Sequence, residues 1–193
     1  MADVKHFDEA AALAAVELLF WRRGIASTGI QDIVAATGLS RSSLYNAFGG
    51  KDELYAAAVR RYLDERSRPM FDRIVADGRG LAAVTAFFDR LLRLRCVGEF
   101  AGWGCLVSNA NADNPPDAAL SLLAEHHAAL KAAFLAALEV AESNQELRAG
   151  VEPNGAAELL TLLAYAVNLR SRSGASRAQL ETAVTAAVSA LAA

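Results

Sequence analysis

The sequence predicts an all-α protein, and three observations predict it. Glycine and proline break the chain into about nine segments, at Gly24, Gly29, Gly38, Gly49 and Gly50, Gly78 and Gly80, Gly98 to Gly104, Pro115 and Pro116, Gly150 to Gly155, and Gly174. The stretches between them are rich in Ala, Leu, Arg and Glu, all strong helix formers. Apolar residues recur at helical spacing, whereas alternating runs of β-branched and aromatic residues are missing.

Composition excludes several classes. At 193 residues the chain fits one compact unit or a small domain joined to a larger one. It is 54% hydrophobic and 21% charged with a net charge of −3, too apolar for disorder and too charged for a polytopic membrane protein. A mean hydropathy of +0.22 is high for a monomer and points to apolar surface covered by a second copy. Ala10 to Trp21 is nearly all apolar, but Glu17 interrupts it and it falls short of the ~20 residues a bilayer requires. Met1 to His6 lacks the pattern of an export signal. The two cysteines, Cys96 and Cys105, have no metal or redox spacing, so a reducing cytoplasm is the expected compartment.

Taken in order, the first segment, Asp8 to Arg23, places Leu13, Val16 and Phe20 on one stripe. Residues 28–52 then read TGIQDIVAATGLSRSSLYNAFGGKD. Thr28 with Gln31 three residues later predicts a capping-box start, Ile30, Ile33 and Val34 supply one apolar face, and Gly38 closes the helix. Ser40 caps a second helix from about Arg41 to Phe48, with Leu44 and Phe48 facing inward. Two short helices joined by a glycine-containing turn are a helix-turn-helix. The second helix presents Arg41, Ser42, Ser43, Tyr45 and Asn46 outward, donors and acceptors suited to base edges and phosphates. Lys51 opens the next helix, where a cation and free N–H groups suit a phosphate.

This stretch resembles the DNA-binding domain of the tetracycline-repressor (TetR) family of bacterial regulators. The likeness rests on Thr28, Asp32, Ile33, Gly38, Leu39, Ser40, Leu44, Tyr45, Phe48, Lys51 and Leu54, and covers about a third of the chain. Gly29, where Ser is familiar, and Asn46-Ala47, where the family often has His-His or His-Tyr, depart from its pattern and leave the operator sequence open. The resemblance implies a DNA-binding domain over 1–50, with Thr28 among its contacts, and an effector-binding and dimerisation domain over 51–193. It also implies a mechanism, in which an effector favours a dimer whose recognition helices no longer match the groove spacing.

Downstream, Phe87, Leu91, Trp103, Cys105, Leu106, Asn109 and His127 supply the apolar wall and few polar groups expected of an effector site, a composition that a packed bundle core shares. From Pro153 to about Arg172 the helix is apolar nearly all round, and the last segment repeats Leu180, Val184 and Val188. Leu159, Leu163, Val167, Leu180, Val184 and Val188 are therefore the expected dimer interface. The Gly78-to-Ala83 run matches G-x-G-x-x-A without a preceding strand and reads as a helix break. His126 and His127 lie about 100° apart on a helix, poorly placed to share a metal, and no catalytic motif or cofactor signature appears. A redox pair of Cys96 and Cys105 requires Cα atoms within ~7 Å. The reading is thus a non-enzymatic, cytoplasmic, homodimeric repressor with a double-stranded operator, a small-molecule effector, and neither metal, cofactor nor membrane. Its rival is a helical small-molecule binder without DNA activity.

Overall fold

The computed structural model describes residues 8–193, so the reading of Met1 to His6 lies outside the described residues. Ten α-helices make up the described chain, with one isolated β-bridge, Leu147 to Ala192, and no longer strand. They are α1 (Glu9–Arg23), α2 (Ile30–Thr37), α3 (Arg41–Phe48), α4 (Lys51–Tyr62), α5 (Arg68–Asp77), α6 (Leu81–Cys96), α7 (Leu106–Ala112), α8 (Asp117–Ser143), α9 (Pro153–Arg172) and α10 (Arg177–Leu191). A π-helical turn, Leu63–Ser67, joins α4 to α5, so these three form one continuous rod. Counted as one, the rod brings the described helices to the nine of the glycine pattern.

The π turn has a local cause. Pro69 has no N–H to give the α-helical ladder, and Arg68 donates instead to the carbonyl of Leu63, five residues back.

The core forms two clusters. The first gathers Val16, Phe20 and Trp21 of α1, Ile33 of α2, Leu44 of α3, and Leu54, Tyr55 and Tyr62 of α4, together with Leu106, Val107 and the start of α8. Residues before and after position 50 thus share one hydrophobic core. The second packs α5, α6, α8, α9 and α10 around Phe87, Phe88, Phe134, Leu138 and Leu160. At the chain end, Arg148 and Ala193 donate backbone hydrogen bonds to Leu191 and Glu146, pinning α10 to the loop before α9. The Gly78-to-Ala83 run is a helix break: Gly78 closes α5 in the left-handed region, and the Glu146 carboxylate accepts from Leu81 N–H at 2.9 Å to open α6.

Leu180, Val184 and Val167, read as interface residues, are buried inside the protomer's own second cluster. Leu163 and Val188 pack partly against the same cluster. The physical reason is ordinary amphipathicity: α9 turns Ala156, Ala157, Leu160, Ala164 and Val167 inward. Leu159 and Leu162, both 52% exposed, are what it leaves outside.

Candidate nucleic-acid interface and interior cavity

The α2–α3 pair is set by its caps. α2 starts one residue later than the Thr28–Gln31 spacing suggests: Gly29 is the N-cap, and its N–H donates to the Asp32 carboxylate at 2.8 Å. That bond, followed by the hydrogen bond from Arg23, holds the exposed Asp32 carboxyl below its ordinary range. Thr28 is buried and donates its hydroxyl to the Gly24 carbonyl at 2.7 Å. It fastens the α1–α2 connection and is struck from the surface residues. Gly38 then takes the left-handed conformation (φ 69°) that the tight turn requires.

Ser40 caps α3. Its Oγ accepts the Ser43 N–H at 3.1 Å and lies 2.9 Å from the hydroxyls of both Ser42 and Ser43. Leu44, 2% exposed, plugs α3 into the first cluster. With Leu44 inward, Arg41, Ser42, Tyr45 and Asn46 are all solvent-exposed and Ser43 half-exposed. The Arg41 guanidinium lies over the Tyr45 ring, 5.4 Å from its centroid, which stiffens both side chains. No carboxylate pairs with Arg41 or Lys51 among the described residues. Lys51 is half-exposed at the start of α4, where Asp52 and Glu53 also sit in the first turn.

A cavity of about 260 Å³ opens beside the rod, between it and α6, α8 and α9. Trp21, Phe71, Phe100, Leu91 and Leu130 supply apolar wall. Polar groups converge on it from α4 (Tyr62), α6 (Arg95), the loop before α7 (Cys105), α8 (His126) and α9 (Tyr165 and Asn168), and Glu65, Arg66, Arg73 and Arg90 also line it. Arg95 is buried, donating to Asn168 Oδ1 from Nε and to Tyr62 Oη from Nη2 at 3.3 Å. His126 Nδ1 lies 3.3 Å from Tyr165 Oη. Burial pushes both phenols well above their ordinary range. Burial also opposes ionisation of the Cys105 thiol, but the hydrogen bond and charge of His126, then Arg95 and Tyr62, outweigh it and bring the thiol down to about 6.

Of the residues read as an effector site, Leu91 and Cys105 line this cavity. The others are corrected. Phe87 packs on Phe88 and Phe134 in the second cluster and borders a separate hollow. Leu106 is buried in the first cluster. Trp103 packs edge-on against Trp21. Asn109 donates to the Trp103 carbonyl at 2.9 Å, tying down the loop before α7. His127 faces Glu158 at the surface, and its neighbour His126 faces the cavity. Residue 126 falls on the apolar stripe Ala119, Leu122, Leu123, Leu130, Ala133 of α8, the one signal by which the sequence distinguishes the two histidines. Arg95 is marked likewise by following Phe88, Leu91 and Leu92 at helical spacing. Cys96 and Cys105 are both free and belong to different clusters.

Among the described residues no group of three metal-ligating side chains forms, and no helix is long and apolar enough to cross a membrane.

Residues 12–58 match the family model described as bacterial regulatory proteins, tetR family. The HTH-type transcriptional repressor ComR of Escherichia coli (strain K12) is 25% identical over 178 residues, spanning 91% of this chain and 85% of that one. A putative TetR transcriptional regulator from Rhodococcus sp. RHA1 is 26% identical and superposes with a TM-score of 0.62 over 96% of this chain and 99% of that one. A cysteine mutant of the TetR family regulator CifR, complexed with a 26-base-pair operator, shares the fold at a TM-score of 0.86 and 21% identity, covering 98% of this chain and 100% of that one. With the matched domain at its N-terminus, a repressor alike along most of its length and this helical architecture, the chain carries the N-terminal domain of the tetR family of bacterial regulatory proteins and is similar over most of its length to TetR-type transcriptional regulators.

Proposed function

We propose that the chain is a cytoplasmic, ligand-responsive repressor that grips a pseudo-palindromic operator as a homodimer. The observation that carries this is α3, whose N-terminus is locked by Ser40 and whose Leu44 is sunk in the core. Arg41, Tyr45 and Asn46 are left facing solvent. A short rigid helix with its first residues free is what the major groove accepts, and a two-fold dimer matches half-sites ~34–36 Å apart. The operator complex of the structurally similar CifR supports the same reading.

The test is titration of labelled DNA from upstream of the chain's own gene. Arg41→Ala is expected to lower specific affinity roughly 10- to 100-fold, the ~1–3 kcal/mol of a bidentate base contact, and to relax discrimination among operator variants. Unchanged discrimination would remove α3 from the groove. Failure of the unaltered chain to bind that DNA would favour the plain small-molecule binder.

The proposed dimer contact is the outer face of α9, where Leu159, Leu162 and Ala166 are exposed, with the small-residue face of α10 beside it. Leu162→Glu changes an exposed position, so the protomer is expected to keep its melting temperature while sedimentation shifts to the monomer. A tight dimer in that variant would move the interface elsewhere.

For the effector, the cavity supports a small amphipathic molecule, its polar end toward Arg95, Tyr62 and Asn168. At about 260 Å³ the space lies near the lower end of ligand pockets, ~300–1,000 Å³.

A further inference from the structure

We propose that the interior cavity takes a small amphipathic monocarboxylate, whose carboxylate pairs with the guanidinium of Arg95 while its hydrocarbon part lies on the aromatic wall. The inference rests on the reading of this cavity as the effector site and names the chemical class of its ligand.

A buried cation without an anion carries it. Arg95 is 7% exposed and lines the cavity, yet it forms no ion pair with a carboxylate among the described residues. Its Nε and Nη2 donate to two neutral oxygens, Asn168 Oδ1 and Tyr62 Oη, and the guanidinium lies 5.8 Å from the Trp21 ring centroid. Nη1 has no hydrogen-bond partner among the described residues. An arginine stays charged inside a protein, and a charge enclosed in a fold normally comes with its counter-charge. The same chain treats its buried carboxylate in that way: Glu17 is met by Arg61 and Arg66 together. Around Arg95 the chain supplies no such partner, and a ligand carboxylate does.

The rest of the wall selects against other classes. The Asn168 side chain is committed, its Oδ1 to Arg95 and its Nδ2 to the Ala164 carbonyl at 2.8 Å. Burial pushes up the Tyr62 and Tyr165 phenols, which therefore remain O–H donors at neutral pH. The Cys105 thiol is engaged by His126 and Tyr62. Glu65, the one carboxylate on the wall, is exposed and held by Arg61 at 2.7 Å, and Arg66 is taken up by Glu17 at 2.8 Å. Arg73 and Arg90 are exposed, make no ion pair among the described residues, and draw anions toward the cavity. An amine meets this field as a like charge, and a neutral amide leaves Arg95 unbalanced. A phosphate dianion brings more charge than one buried guanidinium balances. Trp21, Phe71 and Phe100 cover hydrocarbon, and about 260 Å³ suits one ring or a short chain rather than a long acyl tail.

The experiment uses the full chain and isothermal titration calorimetry. Sodium benzoate and sodium hexanoate are compared with benzamide and hexanamide as neutral counterparts, benzylamine as a cation and inorganic phosphate as a bare anion, all at one ionic strength set with sodium chloride. At least one acid is expected to bind roughly tenfold or more tightly than its amide, the difference between a charged and a neutral hydrogen-bonded pair, with benzylamine and phosphate weaker still. Arg95→Gln is expected to bring that acid to within about threefold of its amide, whereas a merely damaged cavity weakens both alike. If neither acid outbinds its amide, if phosphate binds as tightly, or if the preference survives Arg95→Gln, the proposal is overturned. Should that variant not fold, carbon NMR of carboxyl-labelled acid on the unaltered chain decides. A bound resonance of the ionised form supports the pairing, and one of the neutral acid overturns it.

Titration of DNA from upstream of the chain's own gene, in saturating acid at the same ionic strength, separates the levels. A loss of DNA affinity of roughly tenfold or more makes the bound acid the signal. Unchanged DNA affinity beside Arg95-dependent binding leaves the anion site and sinks its role as effector site. A DNA complex released by the amide as readily as by the acid keeps the effector site and sinks the carboxylate.

Discussion

Val184→Glu is expected to unfold the protomer rather than to separate two intact ones. Val184 is 6% exposed and packs in the second cluster. The substitution forfeits ~1.5 kcal/mol or more of apolar burial and places a carboxylate among the apolar side chains of that cluster, a further cost of several kcal/mol. A total of about 4 kcal/mol or more is a large part of the ~5–15 kcal/mol that holds a domain together. A thermal melt followed by circular dichroism should show the transition falling by about 10 °C or more, or no folded baseline at all. A monomer that melts like the parent chain would show instead that this side of α10 faces a partner.

Removing a charge should be nearly as damaging at Glu17. Its side chain is fully buried and accepts from Arg61 at 2.6 Å and from Arg66 at 2.8 Å. Arg66 also lies over Trp21 and Phe100, 5.0 Å from each ring centroid. Glu17→Ala leaves two guanidinium groups without this acceptor, although Arg61 keeps Glu65 at 2.7 Å. A fully buried pair that loses one partner costs ~3–5 kcal/mol. Because the arginines are 23% and 34% exposed, solvent screens part of that, and about 2–3 kcal/mol is expected. The melting temperature should fall by roughly 5–10 °C. A shift under about 2 °C would mean that water replaces the carboxylate at little cost.

Local signals were legible and long-range ones were not. The second helix of the helix-turn-helix runs from Arg41 to Phe48 and α9 from Pro153 to Arg172, as caps and composition indicate, because capping and glycine conformations are decided within a few residues. The start of α2 slipped by one position because a backbone N–H at Gly29 substitutes for the side-chain cap that Thr28 suggested. The cavity was only partly legible for a different reason. Tyr62, Arg95, His126 and Asn168 lie on four helices, and what unites them is tertiary packing that no window of sequence displays. Even so, polar residues lodged on apolar stripes, Glu17, Arg95 and His126, announce burial and a partner. The apolar girth of α9 was misjudged because alanine and leucine count alike as hydrophobic: the inward stripe is largely alanine, and two leucines remain outside.

The π turn keeps α4 and α5 on one unbroken arm. Its wide turn places Arg66 and Ser67 on the cavity wall, while the same unbroken backbone runs back to Lys51, immediately after Gly49 and Gly50, which join it to α3. From Ser67 back to Lys51 the arm measures about 24 Å at 1.5 Å per residue. A tilt of about 5° at its inner end therefore moves the outer end by roughly 2 Å, a displacement comparable to the slack in a hydrogen bond to a base edge.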